Sequence, residues 1–398
     1  MENILKDINA VMGVNGSFVC DVDGQMLSRL LPENLGDDLL SPVGRTMAQT
    51  IGGVELSRRR KMGELDLLYR DARVLVKNLR VGYLCILCEP TINVPLLNLT
   101  ANVAAKKLAS LVEEQRDRAM RQAAMRKAQT ARSQALNDEV RSIISATQEQ
   151  GVILRATGDT AIRLCCPSAD RTAPRFSDKI LDLAGRANQS GQVSAVLESL
   201  GYAPERRFNL LRGSERLRFT HPEKQLGVEV FLDLLRMYHQ LNFTAGLDLE
   251  KDTISLADLL LWKLQYVEAE EDEFRAIYTI IYDHELAGSS EPQAVENGLR
   301  FALDITYARE VASSSEAGKI DTSRIVSVCA GNWGWYKTVT MNLQKTIAFA
   351  ESNLDDEASV FLERAHRLLQ MIEDAPKSTG WQLRARVGTS RQWYQTPE

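Results

Sequence analysis

From Leu96 to Gln150 the chain contains neither glycine nor proline. A run of that length without a breaker predicts one continuous helix, roughly 80 Å long at the α-helical rise. Between Arg116 and Arg132 it carries six basic residues and one acid, with alanine and glutamine between them and few apolar side chains. Such a stretch is helical by propensity but has little to bury. Residues 116–136 therefore read as a basic helical linker between globular units, a solvated connector. The functional alternative is a basic face for an acidic partner, a phosphorylated ligand or RNA. No aromatic residue interrupts the basic stretch, so it offers no stacking platform for single strands.

The 398 residues exceed one ordinary core and suffice for two or three domains. A hydrophobic content of 44% and a charged content of 25% are those of an ordinary globular protein. The net charge of −5 gives no global pull toward nucleic acid and leaves that partner class open. No apolar run reaches transmembrane length, and the first residues lack the basic start and apolar core of a signal peptide. The expectation is a cytoplasmic protein without membrane insertion. Cys85 and Cys88 lie three apart on what reads as a strand, hence on opposite faces and not as a redox pair. The adjacent Cys165 and Cys166 read as small packed residues beside a helix end. Four scattered histidines argue against a zinc site.

Residues 1–115 read as one small α/β unit. Ile4, Ile8, Val11 and Met12 mark a short opening helix. The segment from Ser17 to Leu27 reads as strand, tight turn at Asp23-Gly24, strand. A helix from about Leu35 to Arg59 follows, then strands over 64–69, 73–78 and 82–88, and a further helix opening near Pro95. This order, and the segment Gly16-Ser-Phe-Val-Cys-Asp-Val-Asp-Gly, resembles the roadblock (dynein light chain) family. The resemblance implies a five-stranded sheet with helices that dimerises, and a scaffold or regulator of a small Ras-like GTPase. It implies no catalytic residue in this unit.

Further along, Arg155-Ala-Thr-Gly-Asp-Thr-Ala precedes Lys179-Ile-Leu-Asp-Leu, Val228-Glu-Val-Phe-Leu-Asp and Ser255-Leu-Ala-Asp-Leu-Leu-Leu-Trp-Lys. The strand 229–233 alternates, so Glu229, Phe231 and Asp233 share a face. Ser255 is an N-cap candidate for a helix to about Glu270, with Asp258 and Trp262 on one face and Lys263 one step round. The acidic run from Glu268 to Glu273 reads as a solvated surface or turn, followed by a helix over 274–286 and a loop at Gly288-Ser-Ser-Glu-Pro. The motif order resembles the minimal nucleotidyltransferases of abortive-infection and toxin type, over residues 137–290. Those enzymes cradle a nucleoside triphosphate on a small-residue turn and hold two magnesium ions on three carboxylates.

Carried over residue by residue, the resemblance makes Gly158 the first glycine of the turn, and Asp182 and Glu229 surviving magnesium ligands. Lys263 becomes the helix lysine of the nucleotide site. Two positions depart from the pattern. Asp159 stands where a second small residue belongs, and Ile180 where the first acid belongs. An aliphatic side chain cannot ligate magnesium, and in-line transfer with two metals needs the full carboxylate set. A carboxylate at Asp159 facing the phosphates would repel them; alternatively Asp159 caps the following helix with its side chain turned away.

Residues 291–398 read as a mostly helical region packed on that domain. They hold four of the five tryptophans. Gly331-Asn-Trp-Gly-Trp-Tyr-Lys-Thr, Trp381-Gln-Leu-Arg and Trp393-Tyr394 resemble recurrent pieces of the same group. They read as aromatic packing that locks the tail, with a base platform at Trp335 and Arg384 as the functional alternative. No P-loop, Gly-x-Ser-x-Gly elbow or spaced Cys/His nucleophile is present. The fold class expected is α/β (α+β). Two functions stand: a non-catalytic dimeric scaffold or GTPase regulator with a degenerate nucleotidyltransferase-like domain, or an active magnesium-dependent nucleotidyltransferase acting on RNA, protein or a small molecule. If the domain is active, the catalytic candidates are Asp182, Glu229 and Lys263 and the cofactors are Mg2+ and a nucleoside triphosphate; the scaffold reading assigns no catalytic residue and requires no cofactor.

Overall fold

The computed structural model describes residues 1–32, 37–59, 62–173, 179–287, 318–354 and 358–396. The chain is mixed α/β and divides into two units, Met1–Ala128 and Gln129–Glu398.

The first unit opens with α1 (Glu2–Asn9), β1 (Val14–Asp21), β2 (Met26–Leu30) and α2 (Asp37–Arg58). It continues with β3 (Glu64–Leu68), β4 (Arg73–Asn78), β5 (Gly82–Cys88) and the start of α3 (Val94–Glu149). The sheet order is β2-β1-β5-β4-β3, with every neighbour antiparallel. Alternation along the strands divides the apolar side chains between two cores. On one face Val19, Leu75, Leu84 and Ile86 pack with Leu5 and Ile8 of α1 and with Leu97 and Leu108 of α3. On the other, Phe18, Cys20, Val76 and Cys85 pack with Ile51 of α2. Cys85 and Cys88 accordingly belong to opposite faces. The apolar face of α1 is Leu5 and Ile8; Val11 and Met12 lie beyond its end, and Met12 is exposed. The β1–β2 turn is held by Asp21 Oδ1, which accepts from the amides of Asp23 and Gln25. Gly24 (φ +81°) approaches α2 so closely that a Cβ there would meet the Arg45 nitrogen at 2.5 Å. The long helix is one element of 56 residues, and its basic stretch is exposed where described.

The second unit takes the end of α3 and then β6 (Leu154–Ala156), α4 (Gly158–Cys165), α5 (Ala169–Thr172) and β7 (Ile180–Gly185). Next come α6 (Ser190–Ser199), β8 (Ala203–Pro204), α7 (Arg206–Arg212), β9 (Arg216–His221) and β10 (Leu226–Leu232). A short hairpin, β11 (Leu234–Arg236) and β12 (Gln240–Asn242), precedes α8 (Leu256–Leu264) and α9 (Glu271–Asp283). β13 (Leu286–Ala287) pairs in parallel with β14 (Ile320–Asp321). Among the described residues four helices follow: α10 (Thr322–Gly331), α11 (Trp333–Asn353), α12 (Ala358–Asp374) and α13 (Thr379–Val387).

The sheet order is β6-β7-β10-β9-β8, and only β7 and β10 run parallel. One apolar core spans this unit, from Val140 of α3 through Leu183, Val230 and Leu260 to Phe361 and Ile372. Ser255 caps α8 by accepting the Asp258 amide at 3.1 Å. That helix ends at Leu264 rather than near Glu270, because Asn342 of α11 takes up the carbonyls of Leu264 and Tyr266 at 2.8 and 2.6 Å. Glu270 and Glu273 form a capping box, so part of the acidic run is the first turn of α9. The loop expected at Gly288-Ser-Ser-Glu-Pro lies outside the described residues, as does the 291–317 part of the C-terminal region. Among the described residues no helix is long and apolar enough to cross a membrane.

Candidate functional site

The parallel pairing of β7 with β10 sets Asp182 directly beside Glu229. Alternation then places Phe231 on the same face as Glu229. Arg218 and Arg216 stand opposite Glu229 and Phe231 in the antiparallel register of β9. Above the strands, the first turn of α4 is strapped to β7. The Thr157 amide donates to the Asp182 carbonyl, and the Asp182 amide donates to the Thr160 hydroxyl, both at 2.9 Å. Gly158 sits at φ +54°, where a Cβ would meet Asp182 Oδ2 at 2.9 Å. Only glycine meets both conditions without strain.

Gly158, Asp159, Asp182, Glu229 and Lys263 line one cavity of about 310 Å3. Its wall also includes Arg216, Phe231, Trp262 and Tyr266. The aromatic rings are ordered: Phe231 meets Trp262 edge-on at 4.9 Å, and the Arg216 guanidinium lies 4.6 Å over Phe231.

Lys263, Asp159, Glu229 and Arg216 are already paired inside this cavity. Lys263 is buried and donates to Asp159 Oδ1 at 2.5 Å. Burial alone would lower the Lys263 pKa, but the Asp159 carboxylate raises it above the ordinary lysine value. Asp159 thus does not turn away as a helix cap; Thr157 holds the cap position of α4. Glu229 is clamped by two arginines, Arg216 on Oε2 at 2.5 Å and Arg218 on Oε1. Asp182 has neither clamp. Burial, then the like charge of Asp159, pushes its carboxyl up to about 7.

A divalent ion held between Asp182 and Glu229 would share the Glu229 oxygens with two arginine cations and compete with a proton on Asp182. Magnesium prefers carboxylate oxygen with retained water, so the donor set fits one ion in type. The two arginine contacts occupy both Glu229 oxygens. Ile180 opens β7 as an exposed residue, 46% accessible, and is not among the residues that line the cavity.

One expectation needs correction, and one alternative falls away. Asp233 does not share the face of Glu229. β10 ends at Leu232, Asp233 turns left-handed at φ +59°, and its carboxylate accepts the Ala187 amide at 3.2 Å. Asp258, one helical turn before Trp262 on α8, is not among the residues that line the cavity; it is buried and paired with Arg324 at 3.0 Å. Trp335 and Arg384 make no platform there. Trp335 is buried against His239 at 4.8 Å, and Arg384 lies over Trp333 and holds the carbonyls of Gly388 and Arg391. The arginines of the site went unread in the sequence, although Arg216-Leu-Arg218 carries the two-residue period of a strand whose polar face meets Glu229.

No family model matches the chain, and comparison with curated proteins finds no match. Similar solved structures are roadblock and MglB domains, over 28% of the chain. One, described as MglB with tetrameric arrangement, is 15% identical, is covered over 88% of its own length and has a TM-score of 0.27. A roadblock/LC7 domain from Streptomyces avermitilis is 10% identical, is covered over 98% and scores 0.26. MglB of Myxococcus xanthus is 14% identical, is covered over 90% and scores 0.25.

Proposed function

We propose that the protein is a non-catalytic dimeric scaffold or regulator whose second unit keeps a nucleotide-type cavity with its transfer chemistry disabled. One observation carries this reading: the Asp159–Lys263 ion pair at 2.5 Å. The cation that would meet a phosphate is already neutralised, and the neutralising group is itself an anion at the cavity wall. An incoming triphosphate would have to break that pair in a partly water-excluded place, where opposite charges hold each other more strongly than in bulk water. The occupied Glu229 and the proton affinity of Asp182 act in the same direction.

The dimeric part of the proposal rests on the first unit. Its sheet ends in two edge strands, β2 and β3, and open edges invite pairing. On α3, Leu96, Leu99 and Val103 form an exposed apolar stripe, which a second copy of the chain would cover. A small Ras-like GTPase as partner follows from the sequence resemblance of residues 1–115 alone.

The alternative, an active magnesium-dependent nucleotidyltransferase, has one observation in its favour: Gly158, Asp182, Glu229 and Lys263 line the same cavity. Transfer assays with each of the four labelled nucleoside triphosphates and magnesium separate the two. The scaffold reading expects no label on RNA, on protein or on the chain itself. Labelling that disappears in Asp182→Ala establishes the transferase.

A further inference from the structure

Adjacent cysteines close the helix that begins at the cavity. Cys165 is the last residue of α4, and Cys166 leaves it in an extended conformation. His284 does the same after α9. The fold brings the three together across 118 residues of sequence: Cys165 Sγ lies 3.8 Å from Cys166 Sγ, and Cys166 Sγ lies 3.6 Å from His284 Nε2. All three atoms lie within 4.8 Å of one another. We propose that Cys165, Cys166 and His284 bind a thiophilic divalent cation of the zinc class.

Two of the three donor separations are those of a tetrahedral site, and the third lies within 4.8 Å. Zinc bonds of about 2.3 Å to sulfur and about 2.0–2.1 Å to nitrogen put two sulfurs about 3.8 Å apart, and sulfur and nitrogen about 3.6 Å apart. The imidazole is oriented for the task. Its Nδ1 lies 3.1 Å from the Gly318 carbonyl, which can only accept, so Nδ1 carries the hydrogen and Nε2 turns its lone pair to the sulfurs. Metal-binding histidines are typically fixed by such a second contact.

The surroundings hold this geometry without an ion. Asp283 Oδ2 accepts from the amide and hydroxyl of Ser168 at 2.9 and 2.8 Å, joining the end of α9 to the loop after the cysteines. Arg364 Nη1 gathers the carbonyls of Ile281, Tyr282 and His284 at 3.0, 2.6 and 3.1 Å. Thr172 and Thr279 share a hydroxyl contact at 2.9 Å. Both donor segments leave helix C-termini, where the helix dipoles favour a cation. Cys165 and His284 are half-buried, which leaves an approach for the ion, while Cys166 is buried. Among the described residues no fourth histidine, cysteine or carboxylate joins the cluster, so water takes the remaining coordination position.

Along the sequence alone, the adjacent cysteines read as packing and the four histidines as too scattered for zinc. Packing alone does not turn two sulfurs toward an imidazole. The location also has a consequence for the cavity. α4 is eight residues long, about 12 Å at the helical rise. An ion at its end would pin the same helix whose first turn carries Gly158 and Asp159.

The test uses full-length protein, stripped of metal and kept reduced. Cobalt(II) serves as the probe, read by thiolate-to-metal absorption in the near ultraviolet, with zinc as competitor. The expected result is one cobalt per chain, displaced by zinc. Binding should weaken at least tenfold in Cys165→Ser and in His284→Gln and stay unchanged in Cys329→Ser, whose sulfur sits in the core of α10. Zinc should raise the melting temperature of the parent and of Cys329→Ser only. The absence of a thiolate band in the reduced parent overturns the proposal, whatever the variants do. A band that survives in both Cys165→Ser and His284→Gln does so too. A chain that takes up no cobalt but links Cys165 to Cys166 on mild oxidation would instead make the pair a redox element.

Discussion

Lys263 Nζ and Asp159 Oδ1 meet at 2.5 Å on the wall of the cavity, one from the last turn of α8 and the other from the first turn of α4. The pair couples two helices and cancels the charge each would present to a ligand. Removing one partner leaves the other uncompensated, the costly way to break a partly buried pair. Lys263→Met should destabilise the second unit by about 2 kcal/mol, less than a fully buried pair because the Asp159 side chain keeps 30% of its surface. Chemical denaturation of the parent and the variant measures it.

Asp159→Gly should have the opposite effect on binding. It frees Lys263, removes a like charge beside Asp182 and restores the small residue of the turn. Magnesium-dependent nucleotide affinity should rise about tenfold, equivalent to about 1.4 kcal/mol. In the double change with Ile180→Asp the new carboxylate is exposed, so the folding cost comes from Lys263, left buried without its partner. Calorimetry with and without magnesium, beside a thermal melt, reads both. A folded double variant that binds no better than the parent would show that the pocket was lost for another reason.

Gly158→Ala tests the strapped turn. The substitution puts a side chain at φ +54° and a Cβ 2.9 Å from Asp182 Oδ2. Strain of about 1–2 kcal/mol is expected, with a fall in melting temperature and no gain in nucleotide affinity. A melting temperature equal to the parent's would mean that α4 begins differently.

His239 makes the second unit sensitive to acid. It is buried beside Trp335, within 2.9 Å of the Thr338 hydroxyl, and burial lowers its pKa from 6.5 to about 4. Between those values the unfolded chain binds the proton and the folded chain does not. Stability should therefore fall as pH drops from 6.5 toward 4, by at most about 3 kcal/mol. His239→Gln should flatten that part of the profile in melts across pH, while carboxylates continue to titrate below it.

The exposed stripe on α3 gives the test of assembly. Sedimentation of the full chain at micromolar concentration should show a dimer, and Leu99→Glu with Val103→Glu should produce monomers of unchanged secondary structure. A parent that sediments as a monomer removes the dimeric part of the proposal.

Local pattern carried most of what the sequence revealed. β4 and β5 match the ranges expected from alternation, and α3 follows from the absence of breakers between Pro95 and Gly151. Asp182, Glu229 and Lys263 were picked out by the resemblance of their motif order rather than by alternation, and the fold lines one cavity with all three. The site was illegible where it depended on partners distant in sequence. Nothing in the vicinity of Asp159 announces Lys263, and nothing near Cys166 announces His284. Asp233 failed for a different reason: the two-residue period holds only while the backbone stays extended, and a left-handed residue ends it.

The register of β7 against β10 makes the charged lining an all-or-nothing trait. Asp182 faces Glu229 because those two residues are neighbours in the parallel ladder. Inserting one residue early in β10 would leave every ladder bond available, yet would present Val228 and Val230 where Glu229 and Phe231 now stand. That slip would turn Glu229 away from its two arginines onto the apolar face where Val228 and Val230 now pack, so the charged lining and the stability of the sheet are kept or lost together.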